Sequence, residues 1–273
     1  MSSSSYGIGL SNAASDEQRR LSGAEALFDA ATFRHLDTVG IGPGMRCLEL
    51  GGGTGSVARF MAERVGSAGW VVVTDIDIAQ LAGCDRANVE VRVHDITADP
   101  LDDAPFDIIH ARLLLEHLPS RLGVLEKLVA ALRPGGWLVV EDFDFSAWLH
   151  LPAERLLCEP KQLHGSIRAS TVGSALVGTT SGWDGEFGRE LPVHLVNAGL
   201  DRVDGEARSP VIVGGSPGAL FVSVSARQVG PVLVAAGHLT QREVDDYASA
   251  FETAGGVIAT LLTMVSAWGC RPA

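Results

Sequence analysis

The spacing of apolar residues changes period along the chain, and each change predicts a different kind of element. Between Asp16 and Leu36 the positions Leu21, Ala24, Leu27, Phe28 and Ala31 recur near helical spacing, with Asp16 placed to cap the first turn. Gly40 to Gly44, with Pro43, reads as a turn. From Met45 onward short apolar runs take over: Met45 to Leu50, Trp70 to Thr74, Val89 to Val93, Phe106 to His110 and Trp137 to Glu141 predict five strands. Between them lie a helix from about Ser56 to Val65, a helix beginning at Ile78 to Leu81, a helical stretch after His110, and a helix from Ser120 to Leu132. Arg133-Pro134-Gly135-Gly136 reads as the turn into the fifth strand. Short apolar strands alternating with helices predict a parallel sheet covered on both faces.

After Asp144 the pattern loosens. Phe145 to Gly188 is rich in Gly, Ser and Thr, holds Trp148, His150, His164 and Trp183, and reads as an insertion or lid. Glu190 to Ala198 predicts a helix ending at Gly199, and Leu200 to Val213 a strand pair or one long strand. Pro217 to Ala236 and Thr240 to Thr253 read as helices, and Leu261 to Trp268 as a last apolar strand. The apolar stretch from Ala219 to Ala236 is broken by Arg227, Gln228, Gly230 and Pro231, so it reads as buried helix; no uninterrupted apolar run reaches the ~20 residues of a membrane span.

Composition narrows the class. A chain of 273 residues, 46% apolar, can bury a sizeable core. Its formal charge of −12 has no Lys/Arg cluster to offset it, which argues against a nucleic-acid partner. Cys47, Cys84, Cys158 and Cys270 lie far apart, which suits neither a disulfide framework nor a zinc site. The serine-rich start, Met1 to Tyr6, has no apolar core of a signal peptide, so a cytoplasmic location is expected. Monomer and homodimer both stay open.

Chemistry concentrates at the predicted strand ends. Leu48-Glu49-Leu50-Gly51-Gly52-Gly53-Thr54-Gly55 places an acid at the end of a strand and glycines behind it. Such a turn lets a ligand approach the backbone closely. It departs from the dinucleotide fingerprint, because Ser56 stands where the third glycine would be, and an acid at the strand end suits a cationic ligand better than a pyrophosphate. Some 20 residues on, Thr74-Asp75-Ile76-Asp77 ends the second strand with a carboxylate able to accept both hydroxyls of a ribose; Asp75 is the first choice and Asp77 the second. His94-Asp95-Ile96 follows the third strand, where an acid can accept an adenine exocyclic amine. Ala111 and Arg112 end the fourth strand beside the point where strand order reverses, and Glu116 and His117 follow one turn later.

These signals, in this order and with Leu132 to Gly136 leading into the fifth strand, resemble the class I S-adenosylmethionine-dependent methyltransferases. Leu132 to Asp144 and Val265-Ser266-Ala267-Trp268-Gly269 look like the quinone-type and natural-product methyltransferases of actinomycetes. The resemblance is strong over about residues 20–144 and weak beyond. It implies a Rossmann-like α/β fold with a seven-stranded, mostly parallel sheet. The reversed last strand would lie beside the fifth, for which Leu261 to Trp268 is the candidate. One domain over 1–273 is expected, with 1–40 a helical cap, 41–144 the cofactor-binding core, 145–188 a substrate lid and 189–273 completing the sheet.

The resemblance implies S-adenosylmethionine as cofactor and S-adenosylhomocysteine as product, held by Glu49, Gly51, Gly52, Gly53, Gly55, Asp75, Ile76, Asp77, His94, Asp95, Ile96, Ala111 and Arg112. Gly52 stands where the family often has Cys or Ala. Tyr6 is the candidate for an N-terminal aromatic that closes over the cofactor. No metal is implied. If the acceptor must lose a proton, His117, Glu116, Asp142 and His164 are the candidate bases. Phe143, Phe145, Trp148 and Trp183 are candidates for an apolar pocket around a flat acceptor. The expected reaction is methylation of a small aromatic or heteroaromatic metabolite at carbon, nitrogen or oxygen. Three alternatives stand beside it: C-methylation of a quinone precursor, an NAD(P)-dependent oxidoreductase on a similar sheet, and a cofactor-binding protein without turnover.

Overall fold

The computed structural model describes residues 15–102, 105–146, 182–260 and 262–273, and the backbone alone at 5–6, 10–11 and 158–159. Two-residue strands β1 (Ser5–Tyr6) and β2 (Leu10–Ser11) pair antiparallel and are followed by the long helix α1 (Ser15–Thr38). The central strands are β3 (Arg46–Leu50), β4 (Trp70–Asp75), β5 (Val89–Val93), β6 (Phe106–Arg112) and β7 (Leu132–Asp144). Helices α2 (Ser56–Val65) and α3 (Arg121–Ala131) and two short 3-10 segments, Ile78–Cys84 and Leu115–His117, lie among them. Beyond come β8 (Cys158–Glu159), α4 (Phe187–Asn197), β9 (Asp201–Arg208), β10 (Ile212–Val213), α5 (Ala219–Ala235), α6 (Gln241–Glu252), β11 (Ile258–Ala259) and β12 (Thr263–Cys270).

The main sheet has the order β5-β4-β3-β6-β7-β12-β9. The first five strands pair in parallel. β12 lies beside the fifth of them and runs the other way: just past its end, Arg271 exchanges backbone hydrogen bonds with Gly135 and Gly136 near the start of β7. The strands are apolar on both faces, as a sheet covered on both sides requires. Leu48, Leu50, Val72, Ile109, Leu138 and Val140 pack on one face with Leu125 and Leu128 of α3 and Leu191 and Leu195 of α4. Cys47, Val71, Val73, Ile108 and Val139 pack on the other with Leu36 of α1 and Ala58, Met61 and Val65 of α2.

The chain divides into two compact units. The first comprises residues 1–27, 143–186 and 208–264, and the second 28–142, 187–207 and 265–273. In the first unit α5 and α6 pack so closely that a side chain at Gly230 would overlap Val244. Gly23 of α1 meets the Phe221 backbone in the same way, and Glu17 and Arg20 form a buried pair with Gln228 on Glu17. β10, β11 and β8 form a small antiparallel sheet. The second unit carries the main sheet up to Asp142 and its two flanking layers.

Several expected boundaries move. Asp16 lies within the first turn of α1, because the helix starts one residue earlier. The helical stretch after His110 is only the 3-10 turn at Leu115–His117, and the helix at Ile78 is a 3-10 segment. Arg133 to Gly136 is an excursion inside β7: Phe106 pairs with Leu132 and Ile108 with Trp137, so four residues bulge where the partner strand has one. Gly135 at φ 75° allows the excursion and an Arg133–Asp107 ion pair holds it. Leu200 to Val213 divides between the edge strand β9 and β10 of the small sheet.

Candidate active site

The glycine turn begins where β3 ends and runs into the first turn of α2. Gly51, Gly53 and Gly55 all have positive φ, at 66°, 55° and 84°. Gly55 is the most constrained, because a Cβ there would overlap the buried Cys84 Sγ. Gly52 has ordinary φ, but a Cβ would overlap the Val73 side chain on β4.

The neighbouring strand ties this turn down. Asp75 Oδ2 accepts the Gly53 N–H at 3.3 Å and Oδ1 accepts the Asp77 N–H at 3.1 Å. Burial pushes the Asp75 carboxyl up, against these backbone hydrogen bonds. Asp77 instead caps the 3-10 segment by accepting from Ala79, leaving Asp75 as the acid at the tip of β4. Ile76 beside it is 48% exposed, an apolar face at a polar edge. Past β5, Asp95 is exposed and its carboxyl is held low, first by the Thr97 hydroxyl and then by the Thr97 N–H. His94 and Ile96 are both buried, with His94 Nε2 3.2 Å from the Pro100 carbonyl. Of this trio only Asp95 presents its side chain outward.

On the other side of the turn the expected ligand residues Glu49 and Arg112 take part in a largely buried polar network. Glu49 does not end in an open pocket; its carboxylate is buried, with Oε2 2.6 Å from His110 Nδ1. His110 Nε2 lies 3.3 Å from Glu141 Oε2, whose carboxylate also receives Thr32 and His35, the latter with Nδ1 at 2.8 Å. Arg112 turns its guanidinium toward α1, donating to Thr32 Oγ1 and Asp29 Oδ1 at 2.9 Å each. Asp29 Oδ1 also accepts from Ser56 Oγ at 3.2 Å. Burial favours the neutral His110 ring, but the Glu49 charge and the bonds to Glu141 and Glu49 outweigh it and raise its pKa to about 9. Burial pushes Glu49 up, while Glu141, also desolvated, is held well below the carboxylate range by His110 and His35. Sequence reasoning missed Asp29, Thr32, His35, Ser56, His110 and Glu141. The available signal was an ionisable residue in the buried part of three neighbouring strands, with Glu49 in register with His110 and Glu141 two residues beyond Val139, the partner of His110.

The candidate bases separate. Glu116 and His117 sit together on the 3-10 turn after β6, with His117 Nε2 3.3 Å from Glu116 Oε1 and both largely buried. Asp142 is fully buried; its Oδ1 accepts the Leu114 N–H at 3.0 Å, and burial raises its carboxyl well above the usual range against the amides of Glu116 and Leu114. Leu113, at φ 53°, lets the chain turn there. Phe143, Phe145 and Trp183 form a run in the first unit, with ring centroids 5.2 and 5.5 Å apart. His164, Trp148 and the Tyr6 side chain lie outside the described residues. Among the described residues, no group of three or more His, Cys, Asp or Glu could hold a metal, and no helix is long and apolar enough to cross a membrane.

A sheet with its last strand inserted in reverse beside the fifth, and a glycine turn braced by the carboxylate at the tip of the next strand, define the class I, S-adenosylmethionine-dependent methyltransferases. The chain belongs to the methyltransferase domain family, whose model matches residues 17–172. It is 36% identical over 115 residues to the ubiquinone/menaquinone biosynthesis C-methyltransferase UbiE of Laribacter hongkongensis, covering 40% of this chain and 47% of that protein. To the UbiE of Hydrogenovibrio crunogenus it is 34% identical over 120 residues, covering 41% and 47%. The matched stretch spans about half the length of these relatives. Two solved structures share the fold. The [4+2]-cyclase SpnF has a TM-score of 0.54 at 19% identity, over 90% of this chain and 83% of that one. Phosphoethanolamine N-methyltransferase 2 of Haemonchus contortus, in complex with S-adenosyl-L-methionine, has a TM-score of 0.56 at 15% identity, over 96% and 61%.

Proposed function

We propose that this protein transfers the methyl group of S-adenosylmethionine to a small aromatic or heteroaromatic acceptor in the cytoplasm. The observation that carries the reading is the brace at Asp75. It holds the glycine turn through Gly53 and stands next to the exposed Ile76, so one edge offers an acceptor for ribose hydroxyls and an apolar surface for a base. The bound cofactor supplies an electrophilic methyl group on a sulfonium. The chain's own residues do the rest. Asp75 and Asp95 orient the nucleoside end, and the glycine turn lets the methionine end approach the backbone. The pair Glu116–His117 lies one turn past β6, where His117 can take a proton from an acceptor hydroxyl or ring position while Glu116 steadies the resulting imidazolium.

A quinol ring carbon is the second reading, favoured by the names of the relatives at 34–36% identity. The test is transfer of isotope-labelled methyl from S-adenosylmethionine to a panel of indoles, phenols, demethylated quinols and amino acids, read by mass spectrometry. Label on a ring carbon of a quinol selects the second reading, and label on an indole or phenol the first. Calorimetry on the same protein sets the floor: no heat of binding with S-adenosylmethionine or S-adenosylhomocysteine overturns both.

A further inference from the structure

The hydrogen bonds behind the glycine turn form a circuit. It starts at Glu49, two residues before Gly51, and passes through His110 to Glu141. From Glu141 it crosses to Thr32 on α1, then to Arg112 and Asp29, and returns to Ser56, the residue after Gly55. Every member lies in the second unit. The two ends of the turn are thus fastened to one another through α1 and two strands. We infer that Asp29 is a positioning residue for the methyl donor: by joining Arg112 to Ser56 it closes this circuit and holds the Gly51–Gly55 turn in the shape that receives the donor. The inference rests on the cofactor reading above.

The physical case is one of preorganisation. Glycines at positive φ bring a large conformational freedom that must be frozen before or during binding. Asp75 fastens the turn at Gly53 only, in its middle. The Cβ exclusion at Gly55 limits what can stand there but does not fix the start of α2, which has no side-chain cap. Ser56 is the first residue of α2 that a neighbouring side chain holds, and that side chain is Asp29. Asp29 is fixed in turn by the Arg112 guanidinium, which burial and the Thr32 hydroxyl keep in place. The charged and titratable groups facing the circuit are Glu49 of β3, His110 and Arg112 of β6, Glu141 of β7, and Asp29 and His35 of α1, with Glu206 of β9 3.8 Å from His35 on its outer side.

A second tie between the same two helices provides the control. Asp37 of α1 takes two bonds from Arg64 at the far end of α2, on the surface and outside the circuit. Its loss loosens α1 against α2 without opening the route to Ser56.

The experiment is isothermal titration of the full chain with S-adenosylmethionine and with S-adenosylhomocysteine, on the wild type and on Asp29→Ala, Asp29→Asn, Asp37→Ala and Ser56→Ala, each with its thermal midpoint. Asp29→Ala is expected to weaken both ligands tenfold or more. Asp29→Asn keeps an oxygen for Arg112 and Ser56 and is expected to stay within threefold of wild type. Asp37→Ala should leave affinity unchanged even where it lowers the thermal midpoint as far as Asp29→Ala does. If Asp29→Ala does not fold, Ser56→Ala decides, with a threefold or greater loss expected at an unchanged midpoint. Affinity within twofold of wild type in Asp29→Ala, or in Ser56→Ala where that variant decides, overturns the inference, as does an equal loss in Asp37→Ala. A wild type that binds neither ligand overturns the cofactor reading itself, and the inference with it.

Discussion

Replacing His110 with glutamine tests the buried electrostatics where they are strongest. The ring is fully buried between two carboxylates, with Nδ1 at 2.6 Å and Nε2 at 3.3 Å from them. Desolvation opposes its charge, but the Glu49 and Glu141 carboxylates prevail and raise its pKa from the ordinary 6.5 to about 9. A histidine with a raised pKa adds stability that is fully present below its unfolded pKa and is lost as the pH climbs through the folded one. The window here is therefore pH 6.5 to about 9. At ~1.4 kcal/mol for each tenfold change in proton affinity, the charge contributes roughly 3 kcal/mol at pH 6 and almost nothing at pH 10. Glutamine keeps hydrogen-bonding capacity but carries no charge, and it leaves Glu141 buried without its imidazolium. Urea unfolding of wild type and His110→Gln at intervals from pH 6 to 10 should show a stability difference that shrinks by roughly 3 kcal/mol across the range. Nitrogen-15 shifts of the imidazole give the pKa directly. A constant difference between the two proteins, or a ring that titrates near its ordinary value, would refute the reasoning.

Three further outcomes follow from the geometry around the turn. Gly55→Ala should cost about 3 kcal/mol of stability, part from the positive φ and part from overlap with Cys84; adding Cys84→Ala should restore only the overlap part in thermal unfolding. Asp75→Ala should weaken S-adenosylmethionine by roughly 1.5–3 kcal/mol in calorimetry, the scale of charge-assisted hydrogen bonds, and unchanged affinity would displace the ribose from β4. Asp142→Asn should keep most of the methyl-transfer rate, since an amide oxygen still accepts from Leu114, whereas His117→Ala should lower transfer more than donor affinity; the reverse order in single-turnover rates would exchange their roles.

The five parallel strands were legible because each is a short run dominated by apolar, often β-branched residues between helical stretches. The last strand beside the fifth was legible only through family resemblance, since nothing in Leu261 to Trp268 states its direction. The 3-10 segments at Ile78 and Leu115 read as helix because three or four residues do not distinguish the two periods. The glycine turn and Asp75 were legible because they lie on adjacent strand ends within 22 residues. The polar circuit was not, because its bonds join residues as far apart as 109 positions, from Thr32 to Glu141, and no local pattern carries such a pairing. A parity argument would have found part of it. Glu49, His110 and Glu141 fall on the face of the sheet that Cys47, Ile108 and Val139 share with α1 and α2, and buried ionisable groups on one face must answer one another.

The same environments that hide these residues also sort the acids at the sheet edge. Four carboxylates stand at or just past strand ends, and their surroundings push them apart. Asp95 is exposed and held low by the Thr97 hydroxyl and amide, which favours its ionised, accepting form. Asp75 and Glu49 are raised by burial, Asp75 while the amides of Asp77, Gly53 and Ile76 oppose it and Glu49 while His110 does. Asp142 is raised well above the usual carboxylate range by burial, against the amides of Glu116 and Leu114 and the charge of Arg121. Desolvation of that kind disfavours the ionised form that a base needs. Its position near the end of the fifth strand, which suggests it as a base, is also the cause of that burial. Its observed bond is to the Leu114 amide, just before the turn that carries Glu116 and His117, and the proposed division of labour is that Asp142 holds this turn while the pair removes the proton.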